Sequence, residues 1–170
     1  MGNLRLGIGI FIFSICWAFA VLARLAASFD TPQLNPWSVL PETFLSGGVL
    51  LALCCVILTL SSRALNRGQR WYFRFWFLIF LGLSVGYMLL KNYEFIQMYP
   101  RMTSFRLVSA LPLLMSMFHT LHVLAGFIWG IGIGAVSWLD TNWRNMETLR
   151  GCILYWYGML VLWIELALFL

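Results

Sequence analysis

Five predominantly apolar runs divide this 170-residue sequence, at residues 4–27, 43–61, 71–93, 108–138 and 149–170. Each is long enough to cross a bilayer as a helix, since roughly 20 residues at about 1.5 Å of rise cover about 30 Å of hydrocarbon. The expected fold is therefore all-α: one polytopic membrane domain over residues 1–170, a bundle of five transmembrane helices. Composition agrees, because 62% hydrophobic and 10% charged residues, with a mean hydropathy of +0.86, do not describe a soluble domain. The first run could pass for a signal peptide, but its apolar stretch exceeds the usual length and Arg24 precedes the only cleavage-like residues, so it is read as a span.

Charge supports a topology rather than a polyanionic partner. The net charge of +5 comes from arginines in short connections, which act as orientation signals and not as a nucleic-acid surface. With the amino terminus in the cytoplasm, Arg5, Arg63, Arg67, Arg70, Arg74, Arg144 and Arg150 lie inside, against Arg24, Lys91, Arg101 and Arg106 outside. That asymmetry predicts the amino terminus in and the carboxyl terminus out. The connection between the first two runs carries Asp30, Pro32, Asn35, Pro36 and Pro41, which cannot continue a helix. Cys16, Cys54, Cys55 and Cys152 fall within apolar runs with no Cys-x-x-Cys spacing, so buried thiols are expected rather than a disulfide framework or zinc site.

Both histidines of the chain lie in the fourth run, LLMSMFHTLHVLAGFIWGIGIG. At about 100° per residue, Met115, His119, His122, Gly126 and Gly130 share one stripe, with Gly134 at its edge. Imidazoles in lipid seek partners and glycines admit close backbones, so this face is expected to meet another helix, with Gly126, Gly130 and Gly134 as the packing stripe. In the predicted topology Glu94, His119, His122 and Glu165 all fall in the outer half of the membrane. Glu94 is accordingly expected near the histidine face, as a polar cluster of Glu94, His119 and His122. Its rival assignment is an i, i+3 surface pair with Lys91. Two histidines three apart on one helix cannot ligate opposite faces of a haem, so no bis-histidine haem can be built within one chain. A singly ligated haem, or a metal completed by Glu94 and Glu165, is the minor alternative; the expected role of both histidines is to donate and accept hydrogen bonds between packed helices, with no metal or cofactor site. No phosphate loop, nucleophile elbow or His-Glu-x-x-His motif is present, and no catalytic residue is assigned.

The segment FHTLHVLAGFIWG resembles the xHGLHVxxGxxW stretch of cytochrome c and quinol oxidase subunit III. LGIGIFIFSICWAFAVL is similar to that family's LGMWxFLxSExxxF helix, LLKNYEF to its LLxxxEY, and LYWYGMLVLWIELALFL to its YWHFVDVVWLFLF helix. The segments follow the family's order, and ALNRGQR stands where the family has a basic loop. The resemblance implies a five-helix bacterial inner-membrane subunit with no redox cofactor, holding phospholipid in a V-shaped cleft beside a haem–copper catalytic subunit that it stabilises. Glu94, His119, His122, Tyr155, Trp156 and Trp163 stand at matching positions. The departures are Ile15 in place of a glutamate, Tyr157 in place of a histidine and Leu160 in place of an aspartate, losses that fit a divergent branch such as the subunit III-like proteins beside nitric oxide reductases. The alternative class is a self-standing transporter or sensor using the Glu/His cluster for protons or metal, although five helices without an inverted repeat lack a transporter's usual symmetry.

Overall fold

The structure, a computed structural model, describes residues 9, 15, 43–102, 110–140 and 145–169. They form four α-helices: α1 (Phe44–Asn66), α2 (Arg70–Met102), α3 (Ala110–Leu139) and α4 (Met146–Phe169). All four are long and apolar enough to cross a membrane, and no strand occurs among the described residues. The first expected span lies outside the described residues except for Gly9 and Ile15, which are helical, with Ile15 packed against the core.

α1 and α2 form a tight hairpin. Gly68 adopts φ 73°, and the Gly68 and Gln69 amides bond the carbonyls of Leu65 (2.9 Å) and Ala64 (3.0 Å). This is the double C-cap that a left-handed residue makes possible, and glycine enters that region without a Cβ clash. It also explains why α1 runs to Asn66, past the expected end at Ser61: nothing in SSRALN stops a helix before the glycine. α2 likewise continues past Tyr93 to Met102, because EFIQMY holds no residue that stops a helix.

The helices close into a ring. α1 packs on α2 and α4, and α3 packs on the same two. At one end Arg74 of α2 donates to the Ser137 carbonyl of α3 (3.3 Å), and at the other Tyr87 faces His119, so neighbouring helices run antiparallel. The core between them is aromatic along α2. Phe73, Phe77 and Phe80 follow at centroid spacings of 5.4 Å, and Phe80 meets Trp156 of α4 edge-on at 4.9 Å. Such T-shaped pairs set the positive ring edge against the negative face.

Four hydroxyls within the spans return to their own helices. Thr59, Ser84 and Thr120 each donate to the carbonyl four residues earlier, and Ser137 to the one three earlier, all at 2.8 Å. That arrangement satisfies a polar group in lipid without a partner helix. Cys54, Cys55 and Cys152 are buried free thiols. Trp71 and Trp138 are exposed at the arginine-bearing end, the interfacial position that suits an indole.

Candidate functional site

The hydrogen-bonding economy of the helices breaks down at the end of the bundle away from the α1–α2 turn. Lys91 and Glu94, one turn apart on α2, are each only 1% exposed, and Lys91 Nζ donates to Glu94 Oε2 at 2.6 Å. The pair anticipated as one option is therefore real, but it lies in the interior and not on the surface. Phe44 of α1 presents its ring 4.9 Å from the ammonium, and Tyr87 presents its own at 5.8 Å. Aromatic faces carry negative quadrupole density, so they stabilise a cation that has left water. Phe44 is in turn stacked on Trp163 of α4 at 5.1 Å. A side chain at Gly48 would collide with that indole, which is why α1 has its small residue there.

His119 of α3 faces this group through Tyr87, with ring centroids 6.4 Å apart in an edge-on arrangement. The imidazole is 1% exposed and neither ring nitrogen has a hydrogen-bond partner. Glu94 Oε1, the Tyr87 hydroxyl and Trp163 Nε1 are also buried without partners. Buried polar groups normally find partners, because each one left unmade costs about 1–3 kcal/mol. Here several collect at one end of one bundle. Glu165, also at this end of α4, is half-buried with Oε2 unpartnered.

The two histidines part company. His122 is half-buried, its Nδ1 lies 2.7 Å from the Phe118 carbonyl, and its ring borders a groove of about 370 Å³ between α3 and α4. The buried arc of α3 includes Met115, Ser116, His119, Val123, Gly126, Gly130 and Gly134. At about 100° per residue, its centre is shifted toward Ser116 and Val123, leaving His122 roughly 20° beyond its edge. The expected common stripe thus holds for His119 and the glycines but not for His122.

The glycines do what their spacing implies. A Cβ at Gly126 would come within 2.7 Å of the Tyr155 ring, one at Gly130 within 3.1 Å of Phe80, and one at Gly134 within 3.3 Å of Phe77. Tyr155 is held on that seat by donating its hydroxyl to the His122 carbonyl at 2.8 Å. The positions that depart from the subunit III pattern are packing positions. Ile15 and Leu160 pack against the core, while Tyr157 sits 3.2 Å from Thr59, hydroxyl to hydroxyl, joining α4 to α1.

Among the described residues no three His, Cys, Asp or Glu side chains converge as a metal site would require. Glu94, the carboxylate such a site would have used, is engaged by Lys91. No family model matches the chain, and no curated protein does. Lys91, Tyr87, Phe44 and Trp163 are the participants that sequence reasoning left outside the cluster. The available signal was a tyrosine, a lysine and a glutamate at i, i+4 and i+7 on one face of an otherwise apolar helix.

Proposed function

We propose that the chain is a non-redox accessory subunit of a haem–copper respiratory complex. It is of the subunit III type of a cytochrome c or quinol oxidase, or of the subunit III-like type beside a nitric oxide reductase. The reading is supported above all by one meeting of motifs: Tyr155 of the LYWYG segment seats on Gly126 of the FHTLHVLAG segment and bonds the His122 carbonyl. Two stretches that resemble the family at distant points in the sequence thus interlock in space. The protonatable groups that the family has at positions 15, 157 and 160 are replaced by side chains that pack or link helices. What remains is a framework.

In this role the chain works by shape. Its helices present outward apolar side chains such as Leu121, Ile128 and Leu154, a surface for lipid and for the catalytic subunit. The groove bounded by Leu121, His122, Ala125, Trp129 and Tyr155 offers an acyl chain an apolar bed. The complex would lie in a bacterial inner membrane with the amino terminus inside. Burial of Lys91 sharpens that orientation, since only Arg24, Arg101 and Arg106 then remain as basic residues on the outer side.

The test is deletion and complementation. Membranes without the chain should keep the haem absorbance of the complex, while its activity decays faster after solubilisation, and a plasmid copy should restore the lifetime. An unchanged lifetime would argue against an accessory role.

A further inference from the structure

Four arginines fall within the twelve residues from Arg63 to Arg74, and no aspartate or glutamate occurs between Glu42 and Glu94. We propose that the rim formed by Arg63, Arg67 and Arg70 at the α1–α2 turn binds the headgroup of an anionic phospholipid.

Three observations carry this. First, the turn gathers the arginines and holds them. Arg63 and Arg67 follow at i, i+4 and are both exposed, a spacing that makes side chains neighbours on a helix. Arg70 opens α2 directly across the turn, which is tied by amides of Arg67 to the Arg63 carbonyl (3.2 Å), Gln69 to Ala64 (3.0 Å) and Arg70 to Gly68 (3.1 Å).

Second, the protein supplies these three with no counter-charge. Arg74 is spent on the Ser137 carbonyl and Arg150 has Glu147 at 3.8 Å, but among the described residues Arg63, Arg67 and Arg70 have no carboxylate partner. Like charges one turn apart repel, and an anion from outside the chain relieves them. A guanidinium fork matches a phosphate with two parallel hydrogen bonds, which favours that anion.

Third, the rim stands at headgroup depth. The membrane-spanning stretch of α1 ends at Asn66 and that of α2 begins at Arg70, so the arginines lie at the hydrocarbon boundary. Trp71 and Tyr72, the next two residues, are 77% and 56% exposed. Exposed indole and phenol rings at the end of a span settle among headgroups. The anion at that depth is a lipid phosphate, and basic residues near such a surface attract anionic lipid.

The experiment is native mass spectrometry of the full chain in mild detergent, with phosphatidylglycerol or zwitterionic phosphatidylcholine added. The chain should retain phosphatidylglycerol preferentially, and the preference should vanish in about 1 M salt, where charges are screened beyond about 3 Å. Combining Arg63→Gln, Arg67→Gln and Arg70→Gln should lower phosphatidylglycerol retention by about tenfold or more, leaving phosphatidylcholine unchanged. Arg150→Gln should change neither. If the triple variant does not fold, each single substitution should lose part of the preference, and three unchanged singles overturn the proposal. Equal retention of the two lipids by the native chain also overturns it, as does a preference that survives in the folded triple variant. Displacement of the lipid by inorganic phosphate at the same concentration would make the ligand a free anion, and displacement by an oligoglutamate peptide would give the rim to an acidic protein. Either result overturns the lipid assignment. None of these outcomes depends on the accessory-subunit reading.

Discussion

The two ends of the bundle handle charge in opposite ways. Around the α1–α2 turn, Arg63 and Arg67 are exposed, Arg74 caps a carbonyl of α3, and Arg150 sits 3.8 Å from Glu147 in a half-solvated pair. Charge there stays at the boundary and marks orientation. At the other end a lysine and a glutamate are drawn inside, ringed by Phe44, Tyr87 and Trp163, with an unpartnered histidine one ring away. The first arrangement asks little of the fold, whereas the second exists only because the fold supplies its partners. Charges held in this second way lose their support when one member is removed, because the other is then stranded in the interior.

The largest effect should come from breaking the interior pair. Glu94→Leu alone should destabilise the bundle by about 3–5 kcal/mol, because it strands a buried ammonium, while adding Lys91→Met should recover most of that loss. Unfolding by titration with SDS in mixed micelles measures both, and two additive losses would show that the charges are not coupled.

Next comes the glycine seat. Gly126→Ala should cost about 1–3 kcal/mol, because Tyr155 cannot swing aside without giving up its bond to the His122 carbonyl. Gly132→Ala, with nothing within 4 Å of its Cβ, serves as the control and should leave the unfolding midpoint nearly unmoved. Equal effects at the two glycines would mean that helix propensity, not packing, sets the result.

At the turn, Gly68→Ala should cost about 1 kcal/mol from its positive φ, read in the same titration. The smallest change belongs to Arg150→Gln. Exposed pairs contribute about 0–1 kcal/mol, so its midpoint should match the native chain within error, and a loss as large as that at Glu94 would erase the contrast between the ends.

Sequence patterning makes one end far more legible than the other. Apolar run length alone locates α1 to α4, and the arginines with Gly68 reveal the hairpin turn, because both signals are local. The glycine spacing at 126, 130 and 134 likewise names its own packing face. Lys91 misleads, since a lysine three residues before a glutamate is ordinarily a solvated helix pair, and here Phe44 from another helix joins Tyr87 in covering it. His122 misleads for a subtler reason. Its angular position is close to that of His119, and the true centre of the buried face depends on which helices α3 meets. Helix existence follows from the chain's own chemistry, but burial of a polar residue is a property of its neighbours.

The central claim is that this bundle serves a haem–copper catalytic subunit. Its most direct test is a reduced-minus-oxidised spectrum of the tagged chain purified from native membranes in a mild detergent. The account predicts haem bands from a co-purifying catalytic subunit in a fixed ratio to the chain, and their loss when the chain is stripped to homogeneity. A native preparation carrying no haem protein, or haem that stays with the isolated chain, would contradict it.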